Sequence, residues 1–459
     1  MTPPALWTSG EIAAATGGQP SAAFDVSGVA FDSREVGPGD LFIALKGEAT
    51  DGHAFLDKAF AAGAAGAIVS RPIDQPHVLV DDTAEALGAL GRAARERMGG
   101  KVIGVTGSVG KTSTKEALFA ALDRFRPGRV HRSVKSYNNH VGVPLSLARM
   151  PRDSLFAVLE MGMNHFGELS ALTRLVRPHV AIVTAIAPAH IEFFGTEEAI
   201  ARAKAEIFEG LEPGGTAIIP YDSPHRDLLC AVAREHGATI LTFGTGDGAD
   251  VRVAAAVPAA TGGTLVSAHL RQAELCYTVA APGDHNVSNS LALLAAVQAV
   301  EGDLAAAGLA LAELPGLPGR GARSRFAVGE GQALLIDESY NANPLSMAAT
   351  LRQLGRERVS RRIAVLGAMK ELGDASASLH ADLAGPLEQA CVDLAVLVGE
   401  EMAPLAQRLE GRLALAHVAD AEEATRIVRA RMRPDDAILV KGSNSVGLSR
   451  LVAALSDGE

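Results

Sequence analysis

The residues with the clearest chemical promise form one short run, GVTGSVGKTSTKE (104–116), in which glycines give way to a lysine and a threonine. Backbone N–H groups of such a loop and of the helix after it hold phosphate oxygens, the lysine adds positive charge, and the threonine hydroxyl suits Mg²⁺. Gly107, Ser108, Gly110, Lys111, Thr112 and Ser113 are therefore the candidate phosphate-binding set. The strict spacing G-x-x-x-x-G-K-[ST] is not met, because its first glycine would fall at Val105; Gly107 supplies the flexibility instead. A glycine turn for a dinucleotide is one competing reading, against which Lys111-Thr112 directly after the last glycine argues. A turn with no ligand is the other.

Further polar residues stand at the ends of later strand-like runs, where open α/β sheets bind their ligands. Glu160 follows FAVL and offers the oxygen donors that Mg²⁺ accepts. His190 lies just beyond VAIVTAI (180–186), and Lys204 on the helix after that. Singly they read as a solvated strand end, a structural imidazole and a surface charge; their succession along one sheet gathers them into one site. GDHNVSNSLA (283–292) puts His285, Asn286 and Asn289 on the first turn of a helix, with the two amides on one face at i, i+3. An N-cap cluster is the alternative there. DESYNANP (337–344) carries an acid, an aromatic and two amides directly after a strand, in a loop stopped by Pro344.

The elements that must position these groups follow from the alternation of apolar runs. VIGVTG (102–107), FAVLEMG (156–162), VAIVTAI, GTAIIP (215–220) and ATILTFG (238–244) read as buried strands separated by helical stretches, which implies a mostly parallel sheet covered on both faces. VRVAAAV, GTLVSAHL and LCYTVAA (251–281) lie close together and predict a small antiparallel sheet. LPGLPGRGARSR (314–325) has linker composition, and after it five strand–helix units in about 140 residues fit a Rossmann-like domain. The expected fold is α/β in three domains: 1–84, 85–314 and 315–459.

Composition bounds the partners. With 459 residues, several cores are expected. The 42 Lys and Arg against 53 Asp and Glu leave a net charge of −11, which disfavours a nucleic-acid surface. Cys230, Cys276 and Cys391 form no paired motif, so neither a disulfide framework nor a structural zinc site is expected. No signal peptide is apparent and no apolar run is long enough to span a bilayer; a cytoplasmic protein is expected.

Taken together, these motifs resemble the Mur ligase family, ATP-dependent amide ligases of peptidoglycan precursor synthesis. The resemblance runs essentially end to end, through DSREVGPGDLFIALKGEATDGHAF (32–55), TGSVGKT (106–112), YNNHVGVPLSL (137–147), LEMGMNHFGEL (159–169), APAHIEFFG (187–195), AKAEIF (203–208), the His285 helix and PGR (318–320). DESYNANP is similar to the stretch in members that add D-alanyl-D-alanine, with LGAMKELG (366–373) and VKGSNSVGLSRLV (440–452) in support. The resemblance implies an N-terminal α/β domain that binds the UDP-sugar, a central P-loop-type domain, and a C-terminal domain that holds the dipeptide and closes on ATP. It implies Lys111, Glu160, His190 and Lys204 as catalytic residues, with Thr112, Glu160, His190 and Lys204 serving two Mg²⁺ ions and Lys204 carbamoylated by CO₂. His285, Asn286, Asn289, Arg320 and Asp337 would hold ATP. Ser33, Arg34, Lys46 and Gly47 would hold the UDP end, and Asn138, Asn139, Tyr340, Asn341 and Asn343 the other substrate parts. The implied partners are UDP-N-acetylmuramoyl-tripeptide and D-alanyl-D-alanine, bound by a monomer.

Two positions depart from the family pattern: Ala368 stands where an Asp is usual, and Asn444 where an Arg is usual. An acyl phosphate would need protection from water, so an open–closed hinge is expected at 314–323. The alternatives are a Mur-type ligase with another acceptor and a P-loop NTPase that drives a partner's motion.

Overall fold

The computed structural model describes residues 5–47, 50–188, 191–259, 263–271 and 273–456. Three main sheets follow one another along the chain. The first has five short strands, in spatial order Gln19–Pro20, His77–Leu79, Gly66–Val69, Asp40–Ile43 and Gly28–Ala30, parallel except at Gln19–Pro20. The helix Thr83–Arg97 follows, started by Asp82, whose carboxylate accepts from the N–H groups of Ala84 and Glu85. It buries Leu87, Leu90 and Ala94 in a core that also contains Ile12, Leu145 and Leu147. Its far end is anchored by Arg95, which donates to the carbonyl of Val176 and to Glu212. The expected 84/85 boundary therefore falls in the first turn of a helix that packs on both sides.

The second sheet has nine strands. Lys101–Thr106 lies at its heart, between Phe156–Glu160 on one side and Val180–Val183 on the other. The chain thus reverses its direction of winding around Lys101–Thr106, and the crevice so created lies at the carboxyl ends of these strands. All three are buried on both faces and read as continuous apolar runs. The strands Val251–Pro258, Thr264–Leu270 and Ala273–Val279 pair antiparallel, as expected. They do not stand apart, however: Val251–Pro258 also pairs in parallel with Thr239–Gly244, so the hairpins extend the parallel sheet. The helix Asp284–Ala299 is buried on most sides, against the helix Lys111–Phe125 and the sheet.

The third sheet has six strands, ordered Ala322–Val328, Gly331–Glu338, Asp436–Lys441, Arg361–Gly367, Leu394–Val398 and Ala414–Val418. The first is antiparallel and the other five are parallel. Separate apolar cores cover its two faces. Among the described residues no helix is long and apolar enough to cross a membrane.

Candidate active site

The carboxyl ends of the second and third sheets face each other across a cavity of about 380 Å³, the size range of a small-molecule site. On the central-domain side the glycines of the 104–116 loop are required sterically. Gly107 has φ +149°, and a Cβ there would come within 1.9 Å of Thr184 Oγ1; Gly110 has φ +85° with the Asn289 amide 2.8 Å from its missing Cβ. Thr184 also donates to the Val109 carbonyl at 2.6 Å, fixing the loop from the neighbouring strand end. Ser108, Gly110, Lys111 and Ser113 line the cavity, and no side chain caps the 15-residue helix that begins at Lys111. Its first N–H groups are thus available to an anion. Lys111 Nζ donates to the Gly107 carbonyl at 2.7 Å, curled back over its own loop.

Glu160 is 1% exposed yet faces this cavity. Its Oε2 accepts from the Thr112 hydroxyl and its Oε1 from the Asn138 amide, both at 2.8 Å. Thr112 lies behind it and does not itself line the cavity. Lys204 reaches the same space from the buried face of the helix Glu197–Ala205. It is 2% exposed and makes no hydrogen bond or ion pair among the described residues. Burial, and then the charge of Lys111, pull its pKa well below the usual lysine value. Burial also lowers Lys111, with Glu160 opposing. A buried lysine whose amine is pushed toward its neutral form, lining the same cavity as a buried carboxylate, is a reactive arrangement. His190 lies outside the described residues.

His285 and Asn289 line the cavity from the helix Asp284–Ala299, and burial pushes the His285 imidazole below its ordinary value. Asn286 turns away: its amide donates to the Pro282 carbonyl at 2.8 Å, and it lines a smaller crevice with Leu311 and Pro315. From the third sheet come Arg320, Tyr340, Asn341 and Asn343. Arg320 stacks over the Tyr340 ring at 4.1 Å and donates to Ser136 Oγ at 3.2 Å, so that it joins the two sides of the cavity. Asp337 does not line the cavity; its carboxylate holds the Gly319 N–H at 2.7 Å and the Ser339 hydroxyl at 2.6 Å, and so shapes the loop that carries Arg320. Asn343 caps the helix Pro344–Gly355 through the Ser346 N–H, and Asn341 Oδ1 accepts from the Ala342 N–H.

Four further candidates lie away from this cavity. Ser33 is buried, Arg34 is exposed and paired with Asp32 at 2.6 Å, Lys46 is exposed, and the Gly47 N–H donates to the Thr50 carbonyl. Asn139 accepts from the N–H groups of Val141 and Gly142 and is exposed. Neither Ala368, which is buried, nor Asn444, which is exposed, lines the cavity.

Sequence reasoning passed over several cavity residues, among them Ser136, Glu338 and Lys441. Ser136 sits between Thr112 and Arg320. Glu338 and Lys441 meet at 3.3 Å across two neighbouring strands of the third sheet, and Lys441 also donates to the Asn341 carbonyl. The signal for the latter pair was present, since both end a strand at the face where ligands bind. No described cluster of three or more His, Cys, Asp or Glu side chains is present. The donors at hand are the Glu160 carboxylate and the Thr112 and Ser136 hydroxyls, an all-oxygen set that suits Mg²⁺ carrying its own waters and phosphate oxygens.

Comparison with known proteins places this geometry. Residues 25–95 match the profile "Mur ligase family, catalytic domain", 105–297 "Mur ligase middle domain", and 323–444 "Mur ligase, glutamate ligase domain". The chain is 34% identical to the UDP-N-acetylmuramoyl-tripeptide–D-alanyl-D-alanine ligase of Synechocystis, over 94% of this chain and 92% of that one. It is 35% identical to the Escherichia coli protein of the same name, over 94% and 93%. A solved MurF from Acinetobacter baumannii superposes with a TM-score of 0.84 at 33% identity, covering 98% of both chains. A Thermotoga maritima MurF ligase in complex with ADP gives 0.78 at 28%, covering 94% and 97%. With profiles, relatives and folds agreeing along nearly the whole sequence, the chain belongs to the Mur ligase family.

Proposed function

We infer that this protein joins D-alanyl-D-alanine to UDP-N-acetylmuramoyl-tripeptide with conversion of ATP to ADP and phosphate, a step of peptidoglycan precursor synthesis. The observation that carries this reading is the cavity itself, where Lys111, Glu160 and Lys204 of the central domain face Arg320 and the DESYNANP loop across one space. The relatives' shared name supplies the substrates.

A carboxylate does not react with an amine at neutral pH, because an oxide is a poor leaving group. In this reading a tripeptide carboxylate oxygen attacks the γ-phosphorus of ATP, the bond to the β-phosphate oxygen breaks, and ADP leaves. The dipeptide amine then attacks the acyl carbon, and phosphate departs as the amide forms. Lys111 and the helix N–H groups stabilise charge on the transferring group. Arg320, bonded to Ser136 across the cavity, would help exclude water from the acyl phosphate.

Thr112 and Glu160 would hold one Mg²⁺; His190 and a carbamoylated Lys204 would hold a second. Bound there, the ions would neutralise phosphate charge. Carbamoylation would join the uncharged form of the Lys204 amine to CO₂ with loss of a proton, turning a group with no oxygen into a carboxylate-like donor. Ser33, Arg34, Lys46 and Gly47 would bind the UDP end in the first domain. His285, Asn289 and Arg320 would surround the nucleotide, with Tyr340 on the substrate side. Asn138, Asn341 and Asn343 would lie near the peptide parts. We further propose domain limits at 84/85 and 314/315, movement about 314–323, and a monomeric cytoplasmic enzyme.

The test is phosphate release from ATP and Mg²⁺ with the UDP-tripeptide, with and without D-alanyl-D-alanine. Release that needs both, with the pentapeptide mass in the product, is the expected result. Release indifferent to the dipeptide would refute the acceptor.

A further inference from the structure

Lys115 lies one helical turn after Lys111 and plays no part in the chemistry above. It is fully buried and does not line the cavity. Its ammonium donates to the carbonyls of Ser133 at 2.9 Å and Lys135 at 2.5 Å, and stands 3.0 Å from Glu116 Oε1 and 4.0 Å from Glu160 Oε2. A buried ammonium is costly unless its donors and charge are met. Here they are.

Both carbonyls belong to the segment after the edge strand Val130–Arg132, and that segment touches the phosphate site three times. The Glu160 N–H donates to Ser133 Oγ at 3.0 Å, Ser136 Oγ lies 3.3 Å from Thr112 Oγ1, and Asn138 donates to Glu160 Oε1. Between them Lys135 has φ +52°, a conformation that disfavours any residue with a side chain. It is held from two directions: Lys115 grips its carbonyl, and Glu35 of the first domain binds its ammonium. The Lys115 grip thus restrains a backbone that would otherwise favour negative φ, next to Ser136 and Asn138.

We propose that Lys115 is a positioning residue for phosphoryl transfer: by clamping the Ser133 and Lys135 carbonyls it holds Ser136 and Asn138 against Thr112 and Glu160, and so sets the oxygen donors presented to a divalent cation. Lys115 itself touches no ligand. The proposal rests on reading the cavity as a Mg²⁺–ATP site.

The test is calorimetric titration of the full-length protein with ADP, with and without Mg²⁺, for wild type and Lys115→Met. A lysine that merely fills the core would change the melting temperature and leave the effect of Mg²⁺ on ADP affinity intact. The positioning role predicts unchanged ADP affinity without Mg²⁺ and a loss of about tenfold or more in the gain that Mg²⁺ brings, the range seen when groups behind metal ligands are removed. It also predicts that kcat falls more than the KM for the UDP-tripeptide rises. Should Lys115→Met fail to fold, Lys115→Gln, which keeps an amide donor, takes its place: an intermediate gain supports the role and a wild-type gain overturns it. A folded Lys115→Met with the wild-type gain overturns it equally. A wild-type protein that shows neither a Mg²⁺ effect nor dipeptide-dependent turnover would overturn the functional reading first, and the role with it.

Discussion

The two walls of the cavity are built differently. On the central-domain wall, polar groups answer one another at short range: Thr112 and Asn138 on Glu160, Lys111 on Gly107, Lys115 on the segment that carries Ser136. On the C-terminal wall, Lys441 meets Glu338 and the Asn341 carbonyl, while Asp337 and Asn343 are bonded within their own loop and helix. Among the described residues, polar contacts that cross from one wall to the other include Arg320 to Ser136, the exposed Arg356–Asp284 pair, and the Glu192 N–H to the Glu371 carbonyl. Phosphoryl transfer needs preorganised charge, whereas the acceptor must enter and the product must leave. In the proposed reading, the contrast sets a fixed half against a half that moves.

The comparison breaks most sharply at Lys111. Lys111→Met should lower kcat about a thousandfold with the fold intact, because charge aimed at the transferring phosphate has no substitute; steady-state kinetics beside a thermal melt would check this. Lys204 should come next. Lys204→Arg keeps a long basic side chain but cannot form a carbamate, and turnover should fall about a hundredfold or more. Because burial lowers the Lys204 pKa, the neutral amine that CO₂ requires persists further down the pH scale than for a free lysine. Below that pKa the amine is protonated and carbamoylation is lost. In CO₂-depleted buffer, the stimulation by added bicarbonate should therefore decline as pH falls, and a pH-independent response would contradict the carbamate.

Arg320 tests the moving half. Arg320→Ala removes a charged hydrogen bond and a stacking contact, so kcat should fall about ten- to a hundredfold, with faster hydrogen exchange in 314–323. A smaller effect concerns stability. Burial pushes His131, on the edge strand of the fixed wall, down to about 4. Above pH 6.5 it is neutral folded and unfolded. Between 6.5 and about 4 only the unfolded chain takes the proton, so stability is lost as pH falls through that window. His131→Gln should flatten the fall in melting temperature there. Least affected should be Arg356→Ala. Its ion pair with Asp284 has both side chains largely exposed, and kcat should change less than about threefold. A large loss would move that pair into the closing device.

How much of this was legible depended on range. The loop around Lys111 was readable because its chemistry is contiguous in sequence, glycines, lysine and threonine within a few residues. Glu160 and Lys204 were readable as strand-end and next-helix positions in a regular α/β alternation. Ser136 and Lys115 were not, since their meaning comes from approaches between segments 20 or more residues apart. Asn343, Asn139 and Asp337 show the converse difficulty. Amides and carboxylates in loops look alike whether they meet a ligand or cap a helix, and only geometry shows that these three are engaged by backbone N–H groups. Likewise the hairpins at 251–279 were visible, but not that their first strand joins the parallel sheet through a short pairing at Phe243–Val251 and Gly244–Arg252.

The central claim is that phosphate leaves this cavity carrying an oxygen that came from the tripeptide. UDP-N-acetylmuramoyl-tripeptide with ¹⁸O in its reacting carboxylate, turned over with ATP and D-alanyl-D-alanine, should yield inorganic phosphate bearing one ¹⁸O, with the other retained in the new amide. Unlabelled phosphate would mean that water attacks ATP directly, and would place the protein among hydrolytic NTPases instead.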